Sequence, residues 1–175
     1  MKNKALTLME LILAISLIGV IIAGVASFDL ASRQMFRSSE TKTQVTNEAT
    51  LIIDRIAKDA LNAIGNANTP AVTIGAGGTS MTMLLDSNHD GVYTPGTDQT
   101  VTYAFIGNQI TRTPSVGLPE VLTNRATNFV VSAPVGNSVP VHIELMFNPA
   151  QAEDPFTNPR VTVETTIEVP AWSLN

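Results

Sequence analysis

Lys4-Ala5-Leu6-Thr7-Leu8-Met9-Glu10-Leu11-Ile12-Leu13-Ala14-Ile15-Ser16-Leu17-Ile18-Gly19-Val20-Ile21-Ile22-Ala23-Gly24-Val25 decides how the rest of this 175-residue chain is read. Lys2 and Lys4 precede an apolar run that extends to Phe28, and Asp29 is the next charge after Glu10. At about 1.5 Å per residue, Leu11 to Phe28 crosses most of a hydrocarbon core of roughly 30 Å. Glu10 stands at the front of that run. A buried acid costs roughly 2.5–3.5 kcal/mol at the centre of a membrane helix and less near an interface, so an acid retained there calls for a partner.

The helix pattern continues past the apolar run. No proline occurs before Pro70, and Gly19 and Gly24 are the only glycines inside the stretch. The reading is one long helix over 7 to about 64, ended by Gly65-Asn66. Its first half is apolar all round. In its second half Val45, Ala49, Ile52, Ile53, Ile56, Ala60 and Ile64 recur at steps of three and four. Lys42, Glu48, Asp54, Arg55, Lys58 and Asp59 are placed on the opposite, solvent face. A single apolar stripe of this kind needs a sheet to cover it. Between the halves, Asp29 to Asn47 is polar and carries Arg33, Arg37, Glu40 and Lys42.

After Pro70 the period changes to two. Strands are expected at 71–74, 80–85, 100–106, 109–113, 126–132, 139–147 and 160–169, with Gly75-Ala76-Gly77-Gly78 and Gly107-Asn108 as turns. Short connections favour an antiparallel sheet. Pro149, Pro155 and Pro159 mark 148–159 as an exposed loop. The fold class is therefore α+β, a long N-terminal helix packed on an antiparallel sheet, with 44–169 forming one unit.

Composition narrows the chemistry. Ten basic and fifteen acidic residues leave a net charge of −5, and only Arg112, Arg125 and Arg160 lie beyond Gly65. The distal part has no basic patch, which argues against nucleic-acid contact there. The absence of cysteine excludes disulfides, thiol catalysis and zinc–thiolate sites. His89 and His142 are isolated, and no nucleophile elbow or His-Glu-x-x-His pattern occurs. Gly75 to Gly78 lacks the lysine of a phosphate-binding loop and opens no helix. The chain does not read as an enzyme.

One local motif carries ligand chemistry. In Asp86-Ser87-Asn88-His89-Asp90-Gly91-Val92-Tyr93, oxygen ligands alternate and a glycine permits the sharp bend, as at the start of a calcium loop. Asp86, Asn88 and Asp90 would offer side-chain oxygens and Val92 its carbonyl. Thr97 occupies the position where a helix–loop–helix calcium site has its final acid, and Asp98 follows as a substitute. The competing reading is a polar interstrand loop rich in turn formers.

The N-terminal stretch resembles that of type IV prepilins and type II secretion pseudopilins. The resemblance rests on the basic leader, a small residue before the cut, then Leu6-Thr7-Leu8-Met9-Glu10-Leu11 and the apolar helix. It covers roughly the first thirty residues. It implies cleavage between Ala5 and Leu6 by a membrane aspartyl protease, the prepilin peptidase, and N-methylation of Leu6. Residues 1–5 would then be a leader, 6–28 a membrane and filament-core segment, and 29–175 an extracytoplasmic domain. It implies a structural subunit stored in the cytoplasmic membrane and assembled with other pilin or pseudopilin subunits by membrane machinery. Glu10 matches the family's acid and Gly19 its helix glycine. Ala5 replaces the usual glycine, Leu6 the usual phenylalanine or methionine, and Ser27 stands where many pilins kink at proline. The lack of cysteine leans towards a minor subunit. The alternative is a membrane-anchored or secreted binding module, calcium-dependent through 86–98. An ordinary secretory signal would be cut after the apolar run, at Ala26. Glu10 has no role in that alternative.

Overall fold

The computed structural model describes residues 7–65 and 69–170. Helix α1 (Leu8–Leu61) runs for 54 residues, about 80 Å at 1.5 Å per residue. Its start is fixed locally by a capping box. The Thr7 hydroxyl accepts from the Glu10 amide at 3.3 Å, and the Glu10 carboxylate accepts from the Thr7 amide at 2.9 Å.

The helix ends three residues before the expected stop, because the next residues are used as sheet. Ala63 bridges Leu85, the Ile64 amide donates to the Leu84 carbonyl at 2.8 Å, and the Asp86 amide donates to Asn62 at 3.0 Å. Asn66 lies outside the described residues.

Five strands, β1 (Val72–Ile74), β2 (Ser80–Leu85), β3 (Gln99–Ile106), β4 (Gln109–Pro114) and β5 (Glu120–Thr123), form an antiparallel meander in chain order. Three more, β6 (Ala126–Val131), β7 (Ser138–Met146) and β8 (Arg160–Glu168), form a second antiparallel sheet with β7 central. The sequence reading expected one sheet and no strand at β5. The sheet divides where the chain leaves β5. The Ala126 amide donates to the Asn108 carbonyl and the Asn108 side chain donates back to the Ala126 carbonyl, both at 3.0 Å. Those bonds turn the chain across the end of the β3–β4 hairpin instead of along the β5 edge. Register shifts at Ile110/Thr111 and Ala126/Asn128 add local twist on either side of the corner.

The helix lies against β8, β7 and β2, and its buried stripe is Val45, Ala49, Ile52, Ile56 and Ala60. It meets Met81, Tyr103 and Ile110 from the larger sheet and Phe129, Ile143 and Leu145 from the smaller one. At the turn between β1 and β2, Gly78 has φ 72°, and a Cβ there would lie 2.7 Å from the Val131 carbonyl oxygen. The glycine-rich run thus lets the two sheets approach, a packing role and not a phosphate site.

From Leu8 to Gln44 no residue of α1 is buried. This projecting part is about 55 Å long. Its best eighteen-residue window has a mean hydropathy of 2.7, so the helix is long and apolar enough to cross a membrane. The sheets cover only the C-terminal third of α1.

Candidate functional site: the exposed helix and the acidic loop

Two features of the fold can carry function. The first is the projecting half of α1. Leu11, Ile15, Ile18 and Ile22 are each more than half exposed, as are the apolar residues between them. Such a surface requires lipid or other helices around it. Glu10 sits at its tip, where among the described residues it is engaged with Thr7, which donates to it from both its amide and its hydroxyl. Ala5 and Leu6, the expected cleavage pair, lie outside the described residues. Ser16 and Ser27 return their hydroxyls to the carbonyls of Ile12 and Ala23 at 2.8 Å, so neither leaves an unsatisfied polar group on the apolar surface.

The second feature is the loop from Asp86 to Asp98. It begins just beyond the C-terminal end of α1, tied there by the Asp86–Asn62 backbone bond. That helix end carries partial negative charge and favours a cation nearby. Side-chain oxygens of Asp86, Asp90 and Asp98 come within 4.8 Å of one another. Asp86 accepts from the amides of Asp90 (3.2 Å) and Gly91 (2.9 Å). Asn88 accepts from the Asp90 amide at 3.1 Å and donates to Asp90 Oδ2 at 2.7 Å.

Asp98 is buried and accepts from Thr94 at 2.7 Å and Ser87 at 2.9 Å. The Thr94 amide holds its carboxyl below the usual carboxylate range; burial opposes this, and the Ser87 and Asn88 amides reinforce it. Val92 enters through its amide, which donates to Asp90 Oδ1 at 2.9 Å. Gly91 at φ 85° and His89 at φ 61° make the bend. The structure therefore brings the separated Asp98 to the same point as Asp86 and Asp90. Three carboxylates so close repel one another, and a hard divalent cation with oxygen preference would relieve that.

Three polar clusters escaped the sequence reading. Asp59 and Glu48, assigned to the solvent face of α1, instead sit against the sheets. Arg112 Nε donates to Asp59 Oδ2 at 2.8 Å and its Nη2 to Oδ1 at 3.2 Å, while the Tyr103 hydroxyl donates to Oδ2 at 2.6 Å. Burial raises the Tyr103 pKa, the Asp59 carboxylate raises it further, and Arg112 opposes. The hydrogen bond to Asp59 raises that of Arg112, against the effect of burial. Glu48 receives the Thr123 hydroxyl and Arg125 Nη1, and that guanidinium also lies 4.9 Å from the Phe147 ring centroid. The signal for both was spacing: Glu48 and Asp59 each fall three residues from a stripe position, Val45 and Ile56.

The third cluster lies on the outer face of the smaller sheet. His142 places Nδ1 3.0 Å from Glu164 and Nε2 3.1 Å from Glu144, and Arg160 also reaches Glu144 at 3.3 Å. A ring with a carboxylate at each nitrogen is satisfied only when both nitrogens carry protons. Burial lowers the His142 pKa, but the hydrogen bonds and charges of Glu144 and Glu164 outweigh it and leave the pKa raised. Because the folded pKa is raised, this stabilisation is complete below the unfolded value near 6.5 and is lost as pH rises through the folded value. His142→Gln should accordingly melt below wild type at pH 6, with the gap closing well above neutrality. Equal gaps at pH 6 and pH 9 would contradict the doubly bonded imidazolium.

Comparison with protein-family models, with curated proteins and with solved structures finds no match for this chain.

Proposed function

We propose that this chain is a structural subunit, of the minor kind, of a type IV pilus or a type II secretion-like pseudopilus. The observation that carries the reading is the division of α1. Its C-terminal third, from Val45, fills the groove of two sheets, while the rest projects and begins as a bare apolar rod with an acid at the tip. The N-terminal residues resemble a prepilin, and a bare rod suits both states of such a subunit. In the membrane, lipid surrounds it. In a filament, the rods of other copies or related subunits surround it.

Glu10 gains a partner in the second state, the ammonium at the start of a neighbouring chain or of its own. An acid left unpaired among apolar rods is expensive, so the pair favours correct addition over slipped packing. Prepilin peptidase, membrane lipid, assembly machinery and sister subunits are the partners this reading requires. It places the sheet domain outside the cytoplasm and assigns it no catalysis.

The N-terminus of the protein purified from its host tests this. Cleavage after Ala5 leaves Leu6, methylated on nitrogen, at the head of a retained rod. A chain starting at Ser27 would contradict the reading, because it would have lost the rod. An uncut N-terminus would leave a simple anchor.

The acidic loop adds calcium to the proposal, with Asp86, Asn88, Asp90 and Asp98 as side-chain ligands and Val92 contributing its carbonyl. A soluble fragment starting at Asp29 retains every buried core residue, since the first is Val45. Calcium at a hundred times its Kd stabilises a binding-competent fold by about 2.7 kcal/mol, or roughly 5–10 °C in Tm for a domain this size. Asp90→Ala should abolish that increment while changing the calcium-free Tm little. No difference between chelator and millimolar calcium in the parent fragment would leave only a polar turn.

A further inference from the structure

We propose that the outer edge of β8 is a docking site for an extended segment of a different chain, in which apolar residues alternate with polar and basic ones. That segment joins the smaller sheet as a fourth strand. The open edge is independent of the filament reading, and the choice of a sister subunit as its partner rests on it.

The two sheets have four edge strands, and three are guarded. β1 has three residues and β5 four, too few to template a long pairing. β5 is also tied to α1 through Thr123 to Glu48 and Glu120 to Arg55. β6 is closed at both ends. Asn108 bonds the amide and the carbonyl of Ala126, and the β1–β2 turn comes up against Val131 at Gly78. β8 differs. It runs for nine residues, and its nine partners in β7 follow one another without a register shift. Arg160-Val161-Thr162-Val163-Glu164-Thr165-Thr166-Ile167-Glu168 has no proline, lysine or bulge, the usual devices against edge pairing. Alternate residues of an antiparallel edge strand point their amide and carbonyl away from the sheet. Among the described residues no backbone meets β8 on that side.

The two faces of β8 define what suits the edge. On the inner side Val161 and Ile167 are buried and Val163 and Thr165 half-buried, and α1 lies against this strand. An added strand therefore needs apolar side chains at alternate positions to extend that layer. On the outer side the row is Arg160, Thr162, Glu164, Thr166 and Glu168, all exposed. Arg160 is already paired, with Glu144 at 3.3 Å and Glu153 at 3.1 Å. Glu164, its side chain 76% exposed, meets the His142 ring, and Glu168 makes no ion pair among the described residues. Positions 45–175 as a whole carry five bases and twelve acids. Opposite charges across a strand pair attract and like charges repel, so the fitting segment sets bases against Glu164 and Glu168. In such pairing the main-chain bonds supply affinity and the alternating side chains supply specificity.

A second copy does not fit. Two β8 edges paired antiparallel are related by a two-fold axis normal to the sheet. Because α1 lies on the face of the sheet, that axis reverses it. The two rods then point in opposite directions and cannot enter one membrane or one filament. Matched end to end, the strands also set Glu164 against Glu164. Paired parallel in register, they set Glu164 beside Glu164 and Glu168 beside Glu168, like charges at both acidic positions. The contact is therefore with a different chain, one segment to one edge, and it ends there. A closed contact of this kind suits a subunit present in few copies.

The probe is a fluorescent synthetic peptide as long as β8, Lys-Val-Thr-Val-Lys-Val-Thr-Val-Lys, titrated against the full-length chain in nonionic detergent micelles. Anisotropy should report saturable binding, weaker by about tenfold when glutamates replace the lysines and absent when every amide is N-methylated. Hydrogen exchange should slow in 160–168 and not in 120–123. In the variant carrying Glu164→Lys and Glu168→Lys, both at exposed positions, the preference should reverse in favour of the acidic peptide. No binding of the basic peptide, equal binding of the acidic or the N-methylated one, or protection at another strand would overturn the proposal. So would tighter binding by a chain ending at Pro170, which would show that residues 171–175 occupy the edge. A dimer of the chain that the peptide dissociates would overturn the choice of a different chain. Failure of peptide binding leaves the filament reading untouched, because the assay involves no assembly. Absence of the wild-type chain from sheared filaments would remove the filament reading, and the sister subunit with it.

Discussion

Asp59→Ala should unfold the soluble fragment beginning at Asp29 about 3–5 kcal/mol more easily than wild type, among the largest single-residue losses this domain can show. Asp59 is the one acid of α1 buried against the larger sheet, and it receives three hydrogen bonds from Arg112 and Tyr103. Removing it strands a guanidinium whose side chain is 13% exposed and a phenol that is fully buried. The stranded groups, more than the lost attraction, set the size of the loss. Combining Asp59→Leu with Arg112→Met and Tyr103→Phe should therefore recover most of it, because apolar replacements of similar volume leave neither a buried charge nor the Tyr103 hydroxyl unpaired. Asp54→Ala, on the exposed face of the same helix, should stay within about 0.5 kcal/mol of wild type. Urea unfolding of the four proteins measures this. A loss of about 1 kcal/mol or less for Asp59→Ala would mean that the cluster behaves as a surface ion pair and does not anchor α1 to the sheet.

That anchor was invisible to a reading based on apolar period. The stripe Val45, Ala49, Ile52, Ile56 and Ala60 was legible because each member is apolar and the spacing is regular. Asp59 obeys the same spacing but looks like a solvated charge until Arg112, on a strand 53 positions later, is brought to it. The strands with clean alternation, such as β3 and β8, were legible to within about one residue. β5 was not, because Val116-Gly117-Leu118-Pro119 ahead of it follows no period, and its four residues are held by pairing with β4 across a bulge and by distant contacts to α1, Thr123 to Glu48 and Glu120 to Arg55. The corner at Ala126 depends on Asn108 from another hairpin and could not be read locally, which is why two sheets were taken for one.

The acidic loop was the reverse case. Asp86, Asn88 and Asp90 are neighbours in sequence, so their convergence is local geometry, and Asp98 needs only the turn from Thr94 to join them. The helix end beside that loop was not foreseen, since the helix was expected to run about three residues further.

On the filament reading proposed above, the most consequential residue is at the opposite end. Glu10→Ala should enter the membrane as well as wild type or better, yet almost disappear from assembled filaments. Insertion improves because a charge leaves the apolar rod, a change of up to roughly 2.5–3.5 kcal/mol at mid-membrane and less near the interface. The capping box with Thr7 is lost as well, but a cap contributes only about 1 kcal/mol and the rod beyond it continues unchanged. Assembly suffers because the ammonium of the adjoining N-terminus is left without a counter-charge among apolar side chains.

Fractionating cells into membrane and sheared-filament pools, with wild type and Glu10→Ala compared in both, tests this account most directly. The account predicts wild type in both pools and the variant in the membrane pool alone. Wild-type chain confined to membranes, or Glu10→Ala incorporated into filaments as efficiently as wild type, would contradict it.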